Sequence, residues 1–150
     1  MHTINPKITT AGLALPLGSA ITHIAVGTAL YTPSGNETAL RAEVARFPIT
    51  SGGNQAQRRV VIGTTFTDAD PAGKVLLGKT IGEIGFLCGN TLFCLSSDPV
   101  SSLFYKSAGL DIAFSYALDT SALPPNAVVV NINSDVAGMA ALIGQHRLDP

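Results

Sequence analysis

Charged side chains and tryptophan are scarce in this sequence. Lysine and arginine total 9 residues, aspartate and glutamate total 10, and there is no tryptophan among 150 residues. The charged fraction of 13% is about half of the usual share in soluble domains. A net charge of -1 gives no basic excess, which disfavours a nucleic-acid partner. Together with 46% hydrophobic residues, this composition favours a subunit whose surface is partly covered in a homo-oligomer.

The longest uncharged segment, residues 8–36, lacks the continuity of a membrane span. Pro16, Gly18 and several threonines interrupt it, whereas a spanning helix needs about 20 mostly apolar residues. Pro16 also lies in the middle of the apolar part that a signal peptide would require. We therefore expect no membrane insertion and no targeting segment.

Residue patterns of catalytic and metal sites are missing as well. The sequence has no GxSxG, no phosphate-binding glycine loop and no Cys/His cluster. Asp68 and Asp70 lack the further ligands of a calcium loop, so we interpret them as caps of a turn. His23 lies in an apolar run, where a structural role is the commoner one. We predict no catalytic, metal or cofactor-binding residues and no enzymatic activity.

The two cysteines, Cys88 and Cys94, lie in the most apolar stretch, residues 81–97. Gly89 and Asn90 predict a two-residue hairpin turn, because both tolerate positive φ. In that register the two cysteine side chains point to opposite faces of the hairpin. They cannot then reach the Cβ separation of about 4 Å that a disulfide requires. We predict two free thiols in the core.

Short strands separated by Gly and Pro turns dominate the rest of the chain. Thr9 or Thr10 is a candidate N-cap for a short helix that Pro16 ends. Residues 38–46 also have a helical pattern, and residues 47–57 are interpreted as a strand end followed by a loop. The predicted strands are 20–31, 58–67, 75–77, 80–88, 92–97, 103–105, 109–120 and a last one within 121–133.

These patterns predict a mainly β (α+β) fold, a single antiparallel β-sandwich-like domain with a short N-terminal helix and a C-terminal helical segment. Its expected parts are an N-terminal arm and helix at 1–19, a β domain at 20–133 and a helical tail at 134–150. The tail has Ser134 as candidate N-cap. Its apolar stripe comprises Val136, Met139, Ala140 and Ile143. The stripe either forms an assembly surface or packs back on the sheet.

Glu83 is the one carboxylate within the apolar hairpin. If its side chain faces inward it requires arginine or backbone donors, because an unpaired buried charge is very costly. Arg46 and Arg41 are the candidate partners. We predict a structural ion pair between Glu83 and Arg46 rather than a role in acid-base catalysis.

Several motifs occur in an order that is typical of one family. The chain opens with "KITTAGLAL", continues with "ITHIAVGTALYTPSGNETALRAEVARFPI" at 21–49 and reaches "IGEIGFLCGNTLFCLSS" at 81–97. Over roughly residues 7–134 these segments resemble the N-terminal domain of the tail-collar fibre proteins of contractile-tailed phages. Two features depart from the family pattern. The segment between Leu13 and Ile21 is short, and Gly82 stands where a basic residue commonly precedes the hairpin glutamate.

The resemblance implies a structural virion protein that attaches a fibre to the baseplate, in oligomers that are usually trimers. Its partners would be a baseplate protein, a distal fibre protein or both, and it would be assembled in the host cytoplasm and located in the phage tail. Because the chain has no room for a receptor-binding shaft, we expect a short adaptor. The predicted assembly interface comprises Ile4, Ile8, Leu13, Leu15, Val136, Met139, Ala140 and Ile143.

Two other classes of function remain. The first is a β-sandwich module that binds a host-surface glycan, although only Tyr31, Tyr105 and Tyr116 supply the aromatic side chains that such sites use. The second is a small hydrolase or redox protein, which the missing motifs and the predicted cysteine geometry disfavour.

Overall fold

The computed structural model describes residues 4–130 and consists mostly of strands. The predicted tail at 134–150, with Val136, Met139, Ala140 and Ile143, lies outside the described residues. In chain order the elements are β1 Lys7–Ile8, α1 Thr10–Leu13, β2 Ser19–Ile21, β3 His23–Gly27, β4 Glu43–Pro48, β5 Ser51–Ala56, β6 Arg59–Phe66, β7 Thr80–Ile81, β8 Glu83–Cys88, β9 Thr91–Ser97, β10 Phe104–Tyr105, β11 Ile112–Asp119 and β12 Val128–Val130.

Two antiparallel sheets form the body of the domain. The larger has five strands in the order β1-β9-β8-β3-β4, and the smaller has three in the order β11-β6-β5. Two short pairs, antiparallel β7-β10 and parallel β2-β12, complete the described part of the chain. The predicted mainly β, sandwich-like fold with a short N-terminal helix is confirmed.

An aromatic cluster joins the two sheets. Phe66 on β6 is completely buried, and its ring centroid lies 5.3 Å from those of Phe47 and Phe104 and 5.5 Å from that of Phe114. Phe86 on the central strand β8 stacks on Tyr116 of β11, with a centroid distance of 5.9 Å. Such aromatic pairs add to the free energy of burial through their ring geometry.

Of the two candidate N-caps, Thr9 and Thr10, it is Thr9 that caps the short helix. Its hydroxyl accepts a hydrogen bond from the backbone N–H of Gly12 at 2.8 Å and donates one to the carbonyl of Leu92 at 2.6 Å. One buried side chain therefore both begins α1 and fastens it to β9.

The hairpin of β8 and β9 has the predicted turn but a different register beyond it. Cys88 pairs with Thr91 and Leu87 with Leu92, as expected for a turn at Gly89 and Asn90. A β-bulge then shifts the register by one residue, so that Phe86 faces Cys94. A one-residue shift moves a side chain to the other face of a sheet.

The predicted placement of the two cysteines on opposite faces is therefore wrong. Cys88 and Cys94 belong to the same buried cluster between the sheets. Both are free, as predicted. Burial raises the pKa of the Cys88 thiol to about 11 and that of the Cys94 thiol well above its ordinary value.

Two local predictions in the first half of the chain are wrong. Residues 38–46 contain no helix, and their second part enters β4, where Phe47 pairs with Ile24 of β3. Ser51–Ala56, predicted as a loop, is strand β5 and pairs with β6. In both segments pairing with a buried neighbouring strand outweighs the local preference.

A long loop at 28–42 covers the outer face of the five-stranded sheet. Its residues Tyr31 and Leu40 are buried against that face. They form a second apolar cluster with Ala25, Leu87, Leu92 and Leu95. The five-stranded sheet is thus covered on both faces, by the three-stranded sheet on one and by the loop on the other.

Replacing Phe66 by alanine tests whether the aromatic cluster is the main tie between the sheets. We expect the free energy of unfolding to fall by about 3–5 kcal/mol, because the change opens a cavity among three other rings. Val100, which is 86% exposed, is the matched control, and its replacement by alanine should stay within about 0.5 kcal/mol. Urea unfolding followed by circular dichroism measures both. Equal losses in the two variants would contradict this account.

Candidate functional site

The carboxylate of Glu83 lies at the start of β8 and is completely buried. Its Oε1 accepts hydrogen bonds from the Tyr31 hydroxyl at 2.5 Å and from the backbone N–H of Arg41 at 3.0 Å. Its Oε2 accepts one from the backbone N–H of Ala42 at 2.7 Å. All three donors belong to loop 28–42, so one carboxylate from the sheet holds both ends of the covering segment.

Gly27 makes room for this carboxylate. It pairs with Glu83 across β3 and β8, and a Cβ atom at this position would collide with Glu83 Oε2 and with the carbonyl of Ala42. Any larger residue at position 27 would therefore displace the acceptor or one of its donors. The site depends on a small residue as well as on the glutamate.

Tyr31 connects the carboxylate to a cation at the surface. The Arg41 guanidinium lies over the Tyr31 ring, 3.9 Å from its centroid, which is the geometry of a cation–π contact. Burial, together with the hydrogen bond to Glu83, raises the pKa of the Tyr31 hydroxyl. Tyr31 therefore stays protonated and donates to Glu83.

The predicted ion pair between Glu83 and Arg46 is wrong. Arg46 Nε instead binds Glu43 Oε2 at 3.0 Å on the same strand. In the sheet, Glu83 lies in line with Gly27 and Glu43, which places Arg46 three residues further along β4. Backbone N–H groups and Tyr31 satisfy the buried carboxylate in place of an arginine side chain.

A second feature is a groove of about 660 Å³ beside the β3–β4 edge, lined among others by His23, Glu43, Arg46, Asp70 and Lys74. Asp70 caps its own turn, as predicted, because its oxygens accept from the backbone N–H groups of Ala72 and Lys74 at 3.0 and 2.8 Å and of Arg46 at 2.9 Å. Glu43 and Arg46, which also line the groove, pair with each other. Among residues 4–130, no group of three or more His, Cys, Asp or Glu side chains is placed to hold a metal ion.

Lys106 is a buried residue that sequence reasoning missed. It is completely buried, and its Nζ donates to Asp68 Oδ1 at 2.5 Å and to the carbonyl of Ser107 at 2.6 Å. The hydrogen bond from Lys106 lowers the pKa of the Asp68 carboxyl. No signal in the sequence marks this lysine, because a polar residue next to a turn is normally exposed.

The predicted assembly residues within the described range differ in exposure. Ile4, Ile8 and Leu15 are half-buried and pack against the core, whereas Leu13 is 61% exposed. Leu17, which sequence reasoning did not single out, is 68% exposed and lies four residues after Leu13. We call these five residues the N-terminal surface.

The chain was compared with protein families, curated proteins and solved structures. No protein-family model, no curated protein and no solved structure matches it. In the described part of the chain, no helix is long and apolar enough to span a membrane.

Glu83→Gln tests the role of the buried carboxylate. In the variant, one of the two acceptor oxygens is replaced by an NH₂ group, which cannot accept the hydrogen bonds that loop 28–42 donates. We therefore expect the free energy of unfolding to fall by about 2–3 kcal/mol. Tyr31→Phe removes one donor and should cost about 1–2 kcal/mol. The control Glu43→Gln breaks only an exposed pair and should cost less than about 1 kcal/mol.

A second readout separates local release from general weakening. Arg41 lies in the loop, so trypsin should cut after it much faster in Glu83→Gln under native conditions than in a variant of equal global stability, such as a mild core truncation. Equal cleavage rates in the two proteins would contradict a specific hold on loop 28–42.

His23 predicts a pH dependence of stability. Burial, and next the charge of Arg46, lower its pKa below the ordinary value of 6.5, while Glu43, Asp70 and Lys74 also line its groove. Because the pKa of His23 is lower in the folded state, the unfolded chain binds a proton at this residue first as the pH falls. The contribution of neutral His23 to stability is therefore lost as the pH falls below 6.5. His23→Gln should flatten the fall in urea midpoint between about pH 7 and pH 5. Parallel pH curves for both proteins would refute this assignment.

Proposed function

We propose that the chain is a structural subunit of a phage tail that attaches a fibre to the baseplate through protein-protein contacts. The observation that carries the proposal is the unit formed around Glu83. Two of the segments that resemble the tail-collar fibre family, far apart in sequence, meet there, and the third bonds to the same hairpin.

Hydrogen bonds connect the three stretches that give the resemblance. The donors Tyr31, Arg41 and Ala42 belong to the middle motif, and the acceptor Glu83 belongs to the hairpin motif, 41 to 52 residues later. The opening motif contributes Thr9, which bonds to β9 of the same hairpin. The three motifs thus depend on one another for burial and hydrogen bonding, and this supports one common architecture rather than three unrelated matches.

The N-terminal surface suits the proposed attachment. Leu13 and Leu17 expose apolar side chains in the same N-terminal segment as Ile4, Ile8 and Leu15, which pack against the core. Exposed apolar groups on an ordered support favour a protein partner. We propose that this surface contacts a baseplate protein or neighbouring copies in a trimer, in a virion assembled in the host cytoplasm.

A glycan-binding module is the second candidate, and Tyr105 favours it. This residue is 57% exposed at one end of the sandwich, in a strand whose neighbour Lys106 is fixed by its buried bond to Asp68. An exposed aromatic ring on a rigid support can stack on a sugar. A glycan screen with Tyr105→Ala as control separates this candidate from the first.

Deleting the gene in a phage that encodes this chain tests the proposed function. We expect tails with complete baseplates but no attached fibres in negative-stain electron microscopy, and recovery when the intact chain is supplied in trans. Normal fibres on the deletion mutant would overturn the proposal.

Complementation with variants then tests the N-terminal surface. A chain with Leu13→Asp and Leu17→Asp should fold but fail to restore the fibres, because it places two charges in an apolar contact. Val100→Asp, also at a highly exposed position, should restore them. Restoration by both variants would exclude this surface from attachment.

A further inference from the structure

Strand β11 has a free edge among residues 4–130. It covers Ile112–Asp119 and ends the order β11-β6-β5. The N–H of Thr120 bonds to the carbonyl of Arg58 at 2.8 Å, which continues the β11–β6 register by one pair. Hydrogen-bonded pairs alternate in an antiparallel ladder, so the even-numbered residues of β11 bond to β6. The N–H and C=O groups of Ala113, Ser115 and Ala117 therefore point to the free edge.

Within residues 4–130, several of the usual protections against pairing are missing from this edge. Natural edge strands carry lysine, proline or a bulge, or they are very short. β11 has eight residues, pairs with β6 without a register shift, and contains neither lysine nor proline. The side chains of Ala113 and Ser115 on its outer face are small and exposed.

The sequence of the edge is also nearly symmetric about Ser115. It reads Ile-Ala-Phe-Ser-Tyr-Ala-Leu from 112 to 118. Residues at equal distances from Ser115 are alike in size and polarity, namely Ala113 and Ala117, Phe114 and Tyr116, and Ile112 and Leu118. An antiparallel pair of two such strands would place like beside like at each position, which is the condition for a self-complementary twofold contact.

We propose that β11 pairs antiparallel with β11 of a second copy of this chain, about a twofold axis at Ser115. Ala113 then faces Ala117 of the second copy and Ser115 faces Ser115, so that three pairs exchange about six backbone hydrogen bonds. Ile112, Phe114 and Tyr116, which are half-buried in the single chain, gain cover from Leu118, Tyr116 and Phe114 of the second copy. The two small sheets become one sheet of six strands.

Charges at the ends of the contact oppose this pairing and set how it depends on salt. The central seven residues carry none, while Asp111 and Asp119 flank them. Asp111 faces Asp119 of the second copy, which is a repulsive pair, and Arg59, which lies opposite Asp119 on β6, offsets part of this repulsion. Asp119→Asn should therefore tighten the contact, most at low salt.

This contact does not rest on the proposed role in a phage tail. It is twofold and uses β11, whereas the proposed trimer is threefold and would use the N-terminal surface. Three dimers joined through both contacts would form a hexamer with dihedral symmetry.

Disulfide trapping in the full chain tests the register. Ser115→Cys should form a covalent dimer on mild oxidation, because residues facing each other on the axis lie within disulfide reach. Ala117→Cys faces Ala113 and should not cross-link to itself, and Ala108→Cys is an exposed control away from the edge. The native Cys88 and Cys94 are buried and do not interfere. Cross-linking of Ser115→Cys no faster than Ala108→Cys would overturn the proposal.

Sedimentation of the uncross-linked protein gives an independent test. Ser115→Pro removes an N–H that points away from β6, so the fold should be kept, as monitored by circular dichroism and thermal melting. Losing one edge bond per copy should raise the dimer dissociation constant about 30-fold. Ala108→Pro is the control for a proline elsewhere on the surface. A folded Ser115→Pro with an unchanged association state, or a native chain that sediments as a monomer or as a trimer without even-numbered species, would refute the edge contact without bearing on fibre attachment.

Discussion

The buried carboxylate of Glu83 is the constraint on which much of the domain depends. A charge without water must be surrounded by donors, and here they are one hydroxyl and two backbone N–H groups from a single loop. The loop can supply them only by crossing the outer face of the five-stranded sheet. In crossing it, the loop buries Tyr31 and Leu40, and so a polar requirement brings an apolar cover into place.

Much of the fold follows from short-range chemistry. The Gly89 and Asn90 turn and the helix cap, for which Thr9 was one of two candidates, are set by residues within a few positions of each other, and both agree with the prediction. The bulge in β9 has no such signal, because a shift of one residue depends on how Phe93 packs between the sheets. The same is true of β5, a glycine-rich strand that exists because β6 is its neighbour.

At the candidate site, too, the local sequence predicts one part and tertiary contacts determine the other. The apolar surroundings of Glu83 in the sequence identify it as a residue that needs partners. The identity of those partners depends on a backbone path between Tyr31 and Ala42 that contains no regular element, and side-chain charge alone favoured Arg46. Lys106 was missed for a similar reason, since its acceptors are an aspartate 38 residues away and a neighbouring carbonyl.

The loop that contains Tyr31 is synthesised well before Glu83, the residue that holds it in place. Synthesis proceeds from the N-terminus, so Tyr31 emerges 52 residues before the carboxylate that fixes it. During that interval the apolar residues of the loop have no sheet to cover, because β8 and β9 are also unfinished. Until the hairpin is made, Tyr31 and Leu40 lack the sheet face on which they are buried in the finished domain, and exposed apolar residues of this kind favour aggregation. The hairpin of β8 and β9 thus supplies both the anchor of the loop and much of the sheet that the loop covers, so a chain that stops before it lacks the partners of its own N-terminal half.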